Sequence, residues 1–307
     1  MKALIFAYHE IGCVGLEATL AAGYDVVGVV THADAPGEQI WFRSVEQVAR
    51  SRGIPVHVVD DPNHPSLVEA LAATGPDFLF SFYFRKLLKK ELLALPSRGA
   101  LNLHGSLLPR YRGRAPVNWV LVNGETETGV TLHYMDERAD HGEIVAQQAV
   151  PIDRADTALT LYRKLASAAR ELLAGALGLL ASGTAPRILQ DHARATKFPG
   201  RKPEDGRISW DWPAERVYNL MRAVTHPWPG AFTTVRGQKL VIWWGDTADR
   251  EPGGPIGTLV AAGSSLAIQT GQGLFVPDRV QLEGEPEQSW AEFASARALR
   301  PGEPLGA

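Results

Sequence analysis

Cysteine is almost missing from this chain; Cys13 is its single representative. A lone thiol excludes an internal disulfide framework and fits a reducing cytosol. An excess of charge of one sign is also missing: 31 Lys and Arg face 34 Asp and Glu, a net charge of −3. That balance gives no global pull toward nucleic acid or an acidic membrane surface. Long apolar runs are absent. The opening Met1-Lys2-Ala3-Leu4-Ile5-Phe6-Ala7 is too short for a signal peptide and reads as a strand. The longest helical candidate, residues 159–180, is broken by Arg163, Lys164, Arg170 and Glu171, so no membrane insertion is expected. The histidines at 9, 32, 57, 64, 133 and 141 lack a tight ligand spacing, and no metal is expected.

What is present is a long alternation of apolar strands and amphipathic helices. Strands are expected at 3–7, 26–31, 56–59, 78–82 and 100–104, with helices at 16–22, 44–52, 65–73 and 89–94 between them. Ser44 caps its helix and Gly53 ends it. This pattern predicts an α/β, Rossmann-like, mostly parallel sheet with helices on both faces. A helix at 115–123, strands at 128–135 and 143–152, and a long helix at 156–182 follow. Residues 187–203 are rich in charge, Pro and Gly and read as a linker. Beyond them, a short helix at 217–223 precedes short strands at 232–235, 239–244, 257–261, 265–270 and 273–276, which suggest a small C-terminal β-barrel, OB-like in size. The expected organisation is a domain over 1–190, a linker over 191–203 and a second domain over 204–307. Residues 300–307 are expected to fray.

Chemistry concentrates at the end of the fifth strand. Asn102-Leu103-His104 alternates polar and apolar, so period two puts Asn102 and His104 on one side. An amide donor and a group that changes charge near neutral pH suit a carbonyl whose oxygen becomes negative under attack. Asp140, in Asp140-His141-Gly142-Glu143-Ile144, is the candidate acidic partner, and beside His104 it would favour the imidazolium. In open α/β sheets ligands gather beyond the strand carboxyl ends, where His104 falls.

Asn102-x-His104, Ser106-Leu107-Leu108-Pro109 and an Asp-x-Gly-x-Ile at Asp140 together resemble the folate-dependent formyltransferases. Ile208-Ser209-Trp210, Met221-Arg222-Ala223 and Pro229-Gly230-Ala231 are similar to the small C-terminal barrel of that family. The resemblance implies an enzyme that takes the formyl group of 10-formyltetrahydrofolate, with Asn102, His104 and Asp140 catalytic. It implies pteridine contacts, largely from backbone, at Phe84, Arg85, Lys86, Leu87 and Leu88 and at Asp136, Glu137, Arg138 and Ala139. The Leu108-Pro109 bond is expected to be cis on the same basis.

Within the family, residues 102–133 are similar to the enzymes that formylate UDP-4-amino-4-deoxy-L-arabinose. The methionyl-tRNA branch carries Ala at 105, Trp at 111, Ala at 114 and Gln-Arg at 118–119; this chain has Gly105, Tyr111, Arg114 and Asn118-Trp119. That branch's basic insertion has no counterpart between Asp34 and Ser44. The expected acceptor is therefore a nucleotide-linked amino sugar, with no nucleic-acid partner. Ser106, Tyr111, Arg112 and Arg114 are the candidate substrate contacts, the arginines because guanidinium matches phosphate oxygens bidentately. Some relatives continue into a decarboxylase domain; this chain reads either as a stand-alone enzyme, with a decarboxylase as a separate partner, or as an excised domain. Gly12-x-x-Gly15 lacks the full dinucleotide fingerprint and reads as a tight turn into a helix. Of Trp243-Trp244, one is expected in the core; His226-Pro227-Trp228-Pro229-Gly230 reads as a rigid turn.

Overall fold

The computed structural model describes residues 1–248, 253–263 and 265–306. Ala307 of the expected tail, with 249–252 and 264 of the expected second domain, lies outside the described residues. Two compact units emerge, and their segments alternate along the chain. The first comprises Met1–Pro116, Glu127–Ile152 and Tyr162–Pro199; the second comprises Val117–Thr126, Asp153–Leu161 and the residues from Gly200 onward.

In the first unit, β1 (Lys2–Ala7), β2 (Asp25–Thr31), β3 (Val56–Val58), β4 (Phe78–Phe82) and β5 (Gly99–His104) pair in parallel. A short β6 (Arg112–Gly113) precedes β7 (Glu127–Tyr134) and β8 (Ile144–Pro151), which add antiparallel at the β5 side, giving the order β3-β2-β1-β4-β5-β7-β8. Buried parallel strands need apolar residues on both faces, and Leu4, Ile5, Phe6, Phe80 and Phe82 are all fully buried. A second, two-stranded ladder joins β6 to β9 (Lys197–Phe198).

Helix α1 spans His9–Ala21 and starts seven residues before the expected position. The misleading signal was Gly12-x-x-Gly15, which lies inside the helix instead of turning into it. A β-carbon at Gly15 would overlap the Phe82 ring, and one at Gly12 would come within 2.9 Å of Val45. Both glycines permit close packing. Helices α2 (Val45–Arg50), α3 (Pro65–Ala72), α4 (Lys90–Leu93) and α5 (Pro116–Val122) follow, α2 capped by the Ser44 hydroxyl. The long α6 (Ala158–Ser182) is, by length and composition, apolar enough to cross a membrane, with mean hydropathy 1.3 over its best window. That window holds no more than two charged side chains, so the four charged residues interrupt the helix less than expected. Leu161, Leu165, Ala169, Leu173 and Leu177 nevertheless form a fully buried stripe at helical spacing, as in a core helix.

The second unit contains α7 (Ala214–Val224) and an antiparallel sheet of β10 (Ala231–Val235), β11 (Gln238–Ala248), β12 (Leu259–Ala262), β13 (Ser265–Gln269), β14 (Leu274–Leu282) and β15 (Gln288–Ser289), in the order β10-β11-β14-β13-β12 with β15 on β14. Helix α8 (Trp290–Ala296), not expected from the sequence, starts at a capping box in which Ser289 and Glu292 bond reciprocally. The expected frayed end is a correction. Leu259 N donates to Glu303 O at 2.9 Å, Leu305 N to Gly257 O at 2.7 Å and Gly306 N to Thr234 O at 2.8 Å. Residues 302–306 thus bridge the β10 and β12 edges and join the sheet into a barrel, satisfying backbone groups that an open edge would leave unpaired. Trp243 is the buried tryptophan of its pair, stacked under His226 at 3.7 Å.

Candidate active site

Strand register assembles the site. Across the antiparallel β5–β7 ladder, Asn102 faces His133 and His104 faces Thr131. Asn102 Nδ2 lies 3.3 Å from His133 Nε2, and His133 Nδ1 lies 2.8 Å from the Tyr134 carbonyl. A carbonyl only accepts, so Nδ1 carries a hydrogen, and Nε2 faces both the Asn102 amide and Asp140. That contact fixes which end of the amide faces outward. One of the two N–H bonds of Nδ2 serves His133; the second is directed elsewhere.

His104, 6% exposed, places Nε2 2.8 Å from the Tyr111 carbonyl and Nδ1 3.4 Å from Asp140 Oδ1. Asp140 also lies 3.7 Å from His133 Nε2, and its Oδ2 accepts from Gly113 N at 2.8 Å. Burial alone would push the Asp140 carboxyl up. The His104 and His133 rings and the Gly113 N–H outweigh it and hold the group well below the usual carboxylate range. Asp140 itself sits at φ 57°. Gln190 Nε2 donates to the carbonyls of Asp140 at 3.0 Å and Gly142 at 2.7 Å, which pins that turn.

The loop between β5 and α5 closes over His104. Thr131 Oγ1 donates to Ser106 O at 2.6 Å and accepts from Leu108 N at 3.1 Å; Gln147 Nε2 bonds Leu108 O at 2.8 Å. The Leu108–Pro109 peptide is cis, as the resemblance implied. Tyr111, at φ 59°, donates its N–H to Thr196 Oγ1 at 2.8 Å and stacks on Phe198 at 4.8 Å. Gly113 needs its glycine: φ is 98° and a β-carbon would strike the Phe198 carbonyl. Residues 190–198, within the stretch read as a linker, therefore hold this loop. Their charge, and the Pro and Gly that follow at 199–203, resembled a spacer because the interactions are made by single polar side chains without an apolar period.

The candidate substrate contacts divide. Ser106 is wholly buried and spends its hydroxyl on Arg110 O at 2.7 Å, so it shapes the loop from beneath. Arg112 is 9% exposed and held by Gln190 Oε1 at 2.5 Å and His192 Nδ1 at 2.9 Å; it is an internal strut, not a surface cation. Arg114 is exposed. In the first expected folate segment, Leu88 is buried in an apolar cluster with Leu71, Leu92 and Ala100, and both Phe84 and Met135 pack against that cluster. The two expected segments thus flank one apolar floor. Arg85 pairs with Glu38 at 2.7 Å, Lys86 bonds the Asp60 carbonyl, and Leu87 is 66% exposed. Asp136, Glu137, Arg138 and Ala139 are exposed, with Asp136 accepting from Arg138 N at 2.7 Å. Sequence reasoning missed His133, Thr131, Gln147, Gln190 and Thr196. Only a cross-strand register could have found the first two. Among the described residues no group of three His, Cys, Asp or Glu side chains is arranged to hold a metal ion.

An amide, an imidazole and a carboxylate thus meet at the strand ends of a mixed α/β sheet, a donor set suited to a carbonyl under attack. Two family models match the chain: formyl transferase over residues 18–177, and the formyl transferase C-terminal domain over 201–298. The chain belongs to the formyltransferase family. Its structure is similar to that of WlaRD, a sugar 3N-formyl transferase solved in the presence of dTDP and 5-N-formyl-THF (20% identity, TM-score 0.70, covering 93% of this chain and 99% of that one). It is similar to the N-formyltransferase from Helicobacter canadensis in complex with folinic acid and dTDP-3-aminofucose (21%, 0.67, 90% and 98%). It is also similar to methionyl-tRNA formyltransferase from Clostridium thermocellum (16%, 0.58, 93% and 100%). At these identities the likeness is one of fold.

Proposed function

We propose that this enzyme moves the formyl group of 10-formyltetrahydrofolate to the 4-amine of UDP-4-amino-4-deoxy-L-arabinose in the cytosol, a step toward aminoarabinose-modified lipid A and polymyxin resistance. The acceptor rests on residues 6–13, 81–85 and 102–133, which resemble the formyltransferase domain of the bifunctional polymyxin-resistance protein. The observation that carries the chemistry is the convergence of Asn102, His104 and Asp140 at the end of β5.

The amine nitrogen attacks the formyl carbon, and the carbonyl electrons move onto oxygen. The second N–H of Asn102 Nδ2 donates to that oxyanion. His104 is the second donor: its Nε2–H exchanges the Tyr111 carbonyl for the oxyanion, in keeping with catalytic bonds that align only with substrate bound. Losing one such donor costs about 3–4 kcal/mol, a rate loss of about 10²–10³. Asp140, ionised, orients the His104 ring and accepts the amine proton directly or through water. The oxyanion electrons then re-form the carbonyl, the bond from carbon to the folate nitrogen breaks, and that nitrogen takes back the proton held at Asp140 and leaves as tetrahydrofolate. Phe84 to Leu88 and Asp136 to Ala139 hold the pteridine over the apolar floor; Tyr111 and Arg114 face the acceptor.

The test measures tetrahydrofolate release with UDP-4-amino-4-deoxy-L-arabinose, other nucleotide-linked 4-amino sugars, methionyl-tRNA or no acceptor. Turnover with the aminoarabinose nucleotide alone establishes the reading. Use of methionyl-tRNA keeps the chemistry and replaces the acceptor; release without acceptor indicates a hydrolase. His104→Ala is expected to fold, by circular dichroism, and to lose transfer, and near-normal turnover there would sink the catalytic assignment.

A further inference from the structure

A cavity with two arginines lies in the first unit, apart from the Asn102–His104–Asp140 cluster. It measures about 400 Å³ and is walled by Glu10 and Val14 of α1, Trp41, and one face of α6 that carries Arg163, Ser167 and Arg170. Those α6 positions stand at i, i+4 and i+7, on one stripe of the helix. Among the described residues neither Arg163 nor Arg170 has an ion-pair partner. Glu10 is paired with Arg43 at 2.7 Å, and the charge of Arg170 also acts on it, so the carboxylate offsets part of the positive wall. The wall therefore offers two guanidiniums outside any direct ion pair and an aromatic ring, in a volume typical of small-ligand sites.

Its position relative to the reacting centre follows from strand register. Ala7 pairs with Phe82 and Phe82 with Leu103, so Tyr8, Tyr83 and His104 are the next residues in a row across three adjacent strand ends. Strands lie about 4.8 Å apart, which puts His104 roughly 10 Å from the head of α1. Tyr83 touches Tyr162 ring to ring at 5.4 Å, and Tyr162 touches Trp41 at 5.1 Å, at the cavity wall. The β1–β4 boundary is also where strand order reverses, the switch point at which such sheets bind ligands.

We infer that this cavity takes the nucleoside diphosphate of the acceptor, with Arg163 and Arg170 on the diphosphate and Trp41 beside the base, while the amino sugar extends past Tyr83 to His104. The inference rests on the nucleotide-sugar reading above and moves the diphosphate contact away from Arg112, whose guanidinium is buried against Gln190 and His192. Arginine pairs match diphosphate oxygens bidentately, which lysines would not reproduce.

The experiment titrates UDP into the whole protein by calorimetry and compares wild type with an Arg163→Ala/Arg170→Ala double variant and with Trp41→Leu. Both arginines are exposed, so the double variant should keep the wild-type melting temperature. Its UDP Kd and its KM for the nucleotide sugar are expected to rise at least about tenfold, with kcat and the KM for 10-formyltetrahydrofolate within about twofold of wild type. Trp41→Leu should weaken UDP more than inorganic pyrophosphate. Unchanged UDP affinity in the double variant overturns the placement and leaves the acceptor reading intact. A wild type that neither binds UDP nor uses a UDP-sugar overturns both.

Discussion

Asp140 and His133 show how single groups shape the candidate site. The carboxylate stays charged although it is mostly buried, because two imidazoles and one peptide N–H face it. His133, 1% exposed, does more than share that charge: it orients the Asn102 amide. His133→Leu should therefore lower kcat about tenfold, about 1.4 kcal/mol, with little change in acceptor KM; an unaltered kcat would remove His133 from the positioning set. His9 is a second buried ring, stacked on Phe42 at 3.5 Å and bonded to the Tyr162 hydroxyl at 2.6 Å. Burial first, and Arg85 second, push it down from 6.5 to about 3. Between those values the unfolded chain binds a proton that the folded chain refuses, so this contribution is present above 6.5 and is lost as pH falls toward 3. Urea midpoints should drop across that window in the wild type and drop less in His9→Gln. Parallel slopes in the two proteins would show that other groups govern acid stability.

At the scale of elements, the apolar runs of β1, β2, β4 and β5 and the cap at Ser44 were legible because local pattern and burial agree there. Asn102 and His104 were legible for the same reason: period two on one strand is local information. Their partner His133 was not, since its role comes from antiparallel register between β5 and β7, which no single segment encodes. The reach of residues 190–198 to the catalytic loop was hidden likewise, because Gln190 and Thr196 act through isolated hydrogen bonds. Helix α1 misled by composition. Its glycines lower helix propensity yet bring the helix onto Phe82. Gly15→Ala gains propensity and loses that fit, and overpacking of this kind costs about 1–3 kcal/mol. Chemical denaturation should show the midpoint falling; a rise would mean that β4 yields and propensity wins.

The whole molecule is built of interleaved segments. The sequence suggested one cut near 191–203, because composition changes there. Helix α7 shows what that cut would sever: Asn118 Nδ2 donates to Ala223 O at 2.7 Å, Arg154 pairs with Glu215 at 2.7 Å, and Arg222 reaches Asp153 O at 3.1 Å. Those partners belong to the same compact unit yet precede residue 200 by 46 positions or more in sequence. Residues 200–307 produced alone should therefore exchange the α7 amides faster than the intact chain does, by hydrogen–deuterium exchange; equal protection would show that the barrel suffices for α7. A consequence reaches into heredity. A single genetic crossover between two such proteins near position 200 would hand α7 a foreign set of counterparts, and its progeny would begin with unmatched amides and charges. Lineages of this architecture are expected to diverge by point changes within an intact gene, with recombinant chimeras surviving only where residues 117–126 and 153–161 travel with the barrel.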